Sequence, residues 1–317
     1  MSLVFFPCCV TSALADHCHS AAKLLVDELQ VKIDLGNGFN CCGYPYKGVD
    51  FNASILLSGR NLALAEKKGV DLVATCACCY GTTKQAETIL KNDRSLFDYV
   101  NDALKREGLA YEGKNTIKHL VEVLLADPGV EKLKDRFGAI FRGLRVAAHY
   151  GCHLLRPGEI LGFDNPFSPN KFDLLIEATG AESVPWSQKL DCCGAPLMGI
   201  NDTTSVRLAE NKLEKARQAK ADLICTACPF CYLQFERTRE ILARESVVEL
   251  NLPSLTYVQF LGLALGLDRS SVGVSEIDLA LPLQKLDECL QARKGVSRNA
   301  IPSSKQESSD SKSTPNL

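Results

Sequence analysis

A chain of 317 residues, 46% hydrophobic and 23% charged, is long enough for two ordinary domains or one large α/β domain. Its formal net charge of −2, from 36 basic and 38 acidic residues, supplies no basic excess to release counterions. That balance argues against nucleic acid or an anionic membrane surface as a partner.

The first predicted element is the apolar run Leu3-Val4-Phe5-Phe6, which leads into Pro7, Cys8 and Cys9. Met1 to Val10 contains no basic n-region and meets Pro7, Cys8 and Cys9 at once, so a signal peptide is not expected. His17 and His19 flank Cys18; two residues apart on a helix they face different ways, so they read as surface residues. Next comes Cys41-Cys42-Gly43-Tyr44-Pro45, then a helix around Leu62 to Lys68. The strand Val70-Asp71-Leu72-Val73-Ala74 follows and ends at Thr75-Cys76, opening a C-x-x-C with Cys79. Residues 85–143 read as a helical insert, with Thr116 capping a helix whose Ile117, Leu120, Val121 and Leu124 share one face. Asp127-Pro128-Gly129 ends that helix.

From residue 144 the pattern begins again. Leu144, Val146, Ala147 and Ala148 lead to Cys152, and Cys192-Cys193-Gly194-Ala195-Pro196 repeats the earlier Cys-Cys-Gly 151 residues on. A helix over Leu208 to Lys220 precedes the strand Ala221 to Cys225. Short Val/Ile/Leu-rich runs alternating with helices predict βαβ units, hence an α/β fold of two pseudo-symmetric cysteine-rich halves. Each half is expected to hold a small parallel sheet flanked by helices. The predicted domains are 1–143, with its insert at about 85–143, then 144–290, then a disordered tail at 291–317 that is Ser/Lys-rich from Gly295. The apolar stretch Phe260 to Leu267 is too short to span a membrane.

Fifteen cysteines in a chain with no export signal point to metal or redox chemistry rather than disulfides. The repeat selects Cys9, Cys41, Cys42, Cys76 and Cys79 in the first half and Cys152, Cys192 and Cys193 in the second. Cys225, Cys228 and Cys231 form C-x-x-C-x-x-C, leaving the closing pair open. Cys228 and Cys231 lie 152 residues beyond Cys76 and Cys79, close to the 151 of the double cysteine, and a Tyr follows each pair, which favours them. Cys8, Cys18, Cys78, Cys225 and Cys289 read as buried or incidental thiols. Thiolates select zinc, Cu(I) or iron–sulfur clusters. Five per half fits a cluster of several metal atoms better than a four-coordinate zinc.

With both Cys-Cys-Gly copies, an upstream Cys and a downstream C-x-x-C in place, the chain resembles the cysteine-rich family of the heterodisulfide reductase B subunit. Phe5-Phe6-Pro7-Cys8-Cys9, Cys76-Ala77-Cys78-Cys79-Tyr80-Gly81, Tyr150-Gly151-Cys152-His153, Cys228-Pro229-Phe230-Cys231 and Gln259 to Ala264 carry the likeness, to about residue 268. The resemblance implies two non-cubane [4Fe–4S] clusters, one on Cys9, Cys41, Cys42, Cys76 and Cys79, the other on Cys152, Cys192, Cys193, Cys228 and Cys231. It implies that a disulfide substrate is cleaved between them. Electrons would come from an iron–sulfur partner like the heterodisulfide reductase C subunit, alongside a flavin-containing protein like that enzyme's A subunit.

The sequence has neither a ferredoxin motif nor a G-x-G-x-x-G loop, which independently predicts a complex of several subunits. His153, beside Cys152, is the expected general acid/base. The leading expectation is a cytoplasmic oxidoreductase component that acts on thiols and disulfides, or on protein- or cofactor-bound sulfur, held at a membrane only through partners. Two alternatives stand beside it: an electron-transfer subunit of a succinate dehydrogenase or fumarate reductase complex, and a zinc-stabilised interaction protein.

Overall fold

Two four-stranded sheets, one from each half, have the same internal order and are parallel throughout. A computed structural model describes residues 2–9, 16–244, 252–274 and 288–291. In the first half β1 (Ser2–Phe6), α1 (Asp16–Glu28), β2 (Ile33–Leu35), α2 (Phe51–Lys67), β3 (Val70–Ala74), α3 (Ala77–Asn92), α4 (Arg94–Leu104) and β4 (Ile117–His119) build a sheet in the order β2-β1-β3-β4. The short helices α5 (Leu120–Leu124) and α6 (Val130–Phe137) lead to the second half. There β5 (Arg145–His149), α7 (Cys152–Leu155), α8 (Gly158–Leu161), α9 (Lys171–Glu177), β6 (Glu182–Ser183), α10 (Asp202–Gln218), β7 (Leu223–Thr226), α11 (Pro229–Arg244), β8 (Ser254–Thr256) and α12 (Tyr257–Leu265) give the order β6-β5-β7-β8. The expected α/β fold of two pseudo-symmetric halves is therefore present.

The repeat extends to the caps. Asp50 accepts from the Ala53 N–H to start α2, and Asn201 accepts from the Thr204 N–H to start α10. Each of these helices runs 17 residues, longer than the apolar stretches that predicted them, because the capping side chain lies well upstream. The expected helix at Thr116 is corrected in register. Ile117–His119 pair with β3 as a strand, and His119, not Thr116, caps α5 in a capping box with Glu122. The i, i+3, i+4 spacing there is shared between a buried strand end and a single helical turn. The predicted tail lies outside the described residues beyond position 291. No helix among the described residues is long and apolar enough to cross a membrane.

One continuous core joins the halves. α1 packs on α12, and α3 packs on α7 and α8. The second contact is close: a Cβ at Gly81 of α3 would stand 2.3 Å from the His153 carbonyl, so only glycine admits the approach. Tyr80 donates its hydroxyl to the Leu161 carbonyl at 2.7 Å, and buried His119 Nε2 donates to the Ala227 carbonyl at 3.2 Å. His17 and His19 are not surface residues. Both are half-buried: His17 packs its ring 5.9 Å from Tyr232 of the second half, and His19 lies 6.1 Å from Phe5 of its own sheet, so α1 is covered on both sides.

Candidate metal centres

In an open parallel sheet, ligands gather beyond the carboxyl ends of the strands where the order reverses. In the first half that point lies between β1 and β3. Cys8 and Cys9 follow β1; Cys76 follows β3 as the cap of α3, and Cys79 sits in that helix's first turn. In the second half Cys152 opens α7 after β5, Cys228 directly precedes α11 after β7, and Cys231 sits in its first turn. Hydrogen bonds from Cys231 and Cys76, helped by the backbone N–H groups of Cys231 and Cys78 at the helix amino ends, hold Cys228 well below the usual thiol range.

The double cysteines reach the same places on matching turns. Gly43 (φ 89°) and Gly194 (φ 84°) are left-handed, and a Cβ on either would meet the carbonyl of Ser54 at 2.5 Å or of Ser205 at 2.6 Å. Glycine is thus required twice, by conformation and by space. Ser58 donates to the Cys42 carbonyl at 2.6 Å and Ser205 to the Gly194 carbonyl at 2.9 Å, fixing each turn on the helix that follows it.

The ten predicted cysteines come together as one chain of neighbouring sulfurs. Cys9 and Cys41 are 3.7 Å apart; Cys41 bonds Cys42, Cys42 bonds Cys79, and Cys79 bonds Cys76. Cys76 and Cys228 meet across the halves at 3.5 Å. Cys228 then bonds Cys231, Cys231 lies 3.2 Å from Cys193, and Cys193 bonds Cys192, which bonds Cys152.

Two further donors, which the sequence reading did not select, join this run. Cys8 lies with Cys76 and Cys79, and His149 with Cys193 and Cys231, every donor atom within 4.8 Å of the others in its group. The remaining thiols sit elsewhere. Cys18 accepts from Thr256 at 3.8 Å, Cys225 is buried within β7, and Cys289 lies 3.8 Å from the Arg142 carbonyl. Cys78, also buried, faces the cleft described below.

Charge within the run is uneven. Hydrogen bonds from Cys42 and Cys9, helped by the Gly43 N–H, pull Cys41 down to about 3; bonds from Cys152 and Cys193, with the Gly194 N–H, pull Cys192 down to about 2. Their neighbours move the other way. The bond to Cys41 pushes Cys42 up to about 12, the bond to Cys192 does the same to Cys193, and Cys9, Cys76, Cys79, Cys152 and Cys231 are raised by bonds to neighbouring thiols and by burial. Sulfurs packed this closely cannot all ionise together unless positive charge is placed among them. A thiophilic metal supplies that charge and displaces the protons.

Beside the sulfurs a small, half-open cleft is shared by both halves, lined by Tyr44, Cys78, Cys152, His153, Cys228 and Phe230 among others. The half-buried His153 ring stands edge-on to Tyr44 at 4.9 Å, and burial lowers its pKa. His153 therefore lines the cleft directly after Cys152 in the chain.

Fold and site together define a protein of two repeated α/β halves, each presenting a thiol set suited to a thiophilic metal. The family model described as "Cysteine-rich domain" matches residues 3–84 and again 146–236. The chain is 36% identical, over 86% of its own length and 92% of the relative's, to the B subunit of the Ferredoxin/F(420)H(2)-dependent CoB-CoM heterodisulfide reductase of Methanosarcina acetivorans. It is 34% identical to a protein of Archaeoglobus profundus described as like the heterodisulfide reductase B subunit, over 79% of this chain and 86% of that one. It is also 30% identical, over 86% of its length and 94% of the relative's, to the 8-methylmenaquinol:fumarate reductase membrane anchor subunit of Wolinella succinogenes. A crystal structure of a hypothetical protein from Helicobacter pylori shares the fold, with a TM-score of 0.65 at 18% identity; the match covers 86% of this chain and half of that one. The chain belongs to the cysteine-rich family of the heterodisulfide reductase B subunit.

Proposed function

We propose that the chain is the catalytic iron–sulfur subunit of a heterodisulfide reductase-like complex, interconverting a disulfide and two thiols or oxidising protein- or cofactor-bound sulfur. One observation carries this reading: two sets of five thiols meet at the Cys76–Cys228 contact of 3.5 Å, beside a cleft that both halves line. An electron-transfer protein needs sulfurs to hold its centres, but not an open space between them.

The residues fit two iron–sulfur clusters. Every predicted ligand is a soft sulfur, and the glycine turns let the backbone approach within a distance no side chain permits. Cys9, Cys41, Cys42, Cys76 and Cys79 would hold one [4Fe–4S] cluster, and Cys152, Cys192, Cys193, Cys228 and Cys231 the other. Five ligands for four irons favours the non-cubane form. Bound there, the clusters would supply one-electron chemistry at sulfur.

The rest falls to the chain. Cleaving R–S–S–R′ to RSH and R′SH consumes two electrons and two protons. His153, at the cleft, would pass protons to the departing sulfurs. Tyr44 packs edge-on against its ring and fixes its orientation. Electrons would come from an iron–sulfur partner like the heterodisulfide reductase C subunit, with a flavin-bearing protein behind it, and any membrane attachment of this cytoplasmic chain would run through partners.

A second reading is favoured by the fumarate reductase relative: electron carriage alone, without a sulfur substrate. Anaerobic single-turnover reduction separates the two. The pre-reduced protein mixed with a small disulfide should release two thiols per disulfide; oxidation of its centres only by an electron-carrier protein would leave electron carriage.

A further inference from the structure

The halves repeat each other closely enough that their differences can be read position by position. β1 and β5 correspond with Cys9 matched to Cys152, so Phe6 matches His149 and Cys8 matches Gly151. α2 and α10 correspond at the 151-residue interval, so Asn61 matches Lys212.

The Asn61 and Lys212 pair does one task in two ways. Buried Asn61 donates to the carbonyls of Asn40 at 3.0 Å and Cys41 at 3.3 Å, holding the loop ahead of the first double cysteine. Lys212, equally buried, donates to the carbonyls of Gln188 and, at 3.0 Å, of Asp191, holding the loop ahead of the second. An amide would serve there, as it does in the first half. The ammonium instead adds a desolvated positive charge near Cys192, Cys193 and Cys231, with the Trp186 ring 4.7 Å away. The nearby Asp191 side chain is exposed, so water screens it far better than it screens Lys212.

The sixth donors differ in the same sense. Cys8 adds a sulfur to the first set, whereas His149 adds an imidazole to the second. His149 is 1% exposed; its ring has one polar contact, to the Lys189 backbone, and no well-formed hydrogen bond to a protein group. A buried ring in that state has its polar atoms available to the centre beside it. Arg60 is matched by Glu107 at 2.7 Å and Lys189 by Asp173 at 2.7 Å, while Lys47, held by the Gln85 amide oxygen at 2.7 Å, is exposed and screened by water.

We propose that the two centres are inequivalent: Lys212 and His149 make the second the higher-potential one, while Cys8 and the neutral Asn61 leave the first more electron-rich. Cationic charge stabilises the reduced form of a cluster, and a neutral imidazole beside the second centre adds no negative charge, where the first centre has a further thiol that can ionise. An electron shared between the halves then rests in the second. Chain residues thereby bias the order in which the two substrate sulfurs meet reducing equivalents. This rests on the iron–sulfur reading above.

The test is an EPR-monitored potentiometric titration of the anaerobically purified full chain, with iron counted in each sample. Two separate midpoint potentials are expected. Lys212→Gln and His149→Phe should each lower the higher one by at least a tenfold change in electron partition, about 59 mV for one electron, leaving the lower in place. Lys212→Arg should stay close to wild type, and Asn61→Lys should raise the lower potential. If Lys212→Gln loses iron, His149→Phe and Asn61→Lys decide. Iron-loaded protein with coincident potentials, Lys212→Gln and His149→Phe variants that move the lower potential or neither, or an Asn61→Lys variant that leaves the lower potential in place, overturns the proposal. Wild-type protein without iron overturns the iron–sulfur reading instead.

Discussion

Cys76 and Cys228 stand 3.5 Å apart on opposite sides of the boundary between the halves, each at the amino end of the helix that follows its central strand. The two sulfur sets are therefore neighbours, yet each is drawn from its own half of the chain. Replacing Cys79 or Cys42 by Ser should empty the first centre and leave the second filled, so iron per chain falls by about half. Iron analysis checks this, and complete loss from one substitution would show that the sets are a single site.

Gly43→Ala should be costly for two separate reasons. The backbone is left-handed there, worth about 1–2 kcal/mol against a residue with a Cβ, and the new methyl would sit 2.5 Å from the Ser54 carbonyl. Displacement of the turn carries Cys41 and Cys42 with it. The variant should melt earlier and lose iron from the first half. Gly48→Ala, with nothing within 4 Å of its Cβ position, is the control that should melt like wild type.

His153→Gln should slow disulfide reduction by about 10²–10⁴-fold if it relays protons, while iron content is retained. Stopped-flow single turnover with the pre-reduced protein measures the step directly. An unchanged rate would reduce His153 to a packing partner of Tyr44.

His119 gives a pH signature. Its Nδ1 accepts from the Val121 N–H to cap α5, and its Nε2–H donates to Ala227 in the other half, so both nitrogens are committed to the neutral ring. Burial lowers its pKa from 6.5 to about 4. Between those values the unfolded chain takes up a proton that the folded one refuses, so stability falls as pH drops from about 6.5 toward 4, by about 3 kcal/mol for this residue. His119→Asn keeps a capping acceptor and removes the titration. Denaturation midpoints at pH 7 and pH 5 should differ less in the variant than in wild type, the remaining slope coming from His149, which burial also holds neutral.

The repeat made much of this legible. Two Cys-Cys-Gly copies at one interval imply two copies of one unit, and apolar runs bounded by helices imply parallel strands; both sheets have that form. The ten cysteines selected by the repeat do lie side by side. What escaped was what the halves do not share. Cys8 next to Cys9 looked redundant, because nothing in a sequence says which of two adjacent thiols turns inward. His149 and Lys212 stand where the first half has Phe6 and Asn61, so a search for similarity passes over them. Aligning the two halves and looking for mismatched polar residues would have found both. His17 was misjudged because only the packing of α1 against the second half buries it.

On the reading proposed above, the paired thiol sets hold iron–sulfur clusters which meet substrate sulfur. Anaerobic purification, a count of iron, sulfide and zinc, and EPR spectra before and after adding a dithiol under oxidising conditions test it in one sample. About eight irons with matching sulfide, and a paramagnetic signal that appears only with the thiol, are predicted for two four-iron clusters open to substrate. Stoichiometric zinc without iron, or iron whose spectrum ignores the thiol, would contradict it.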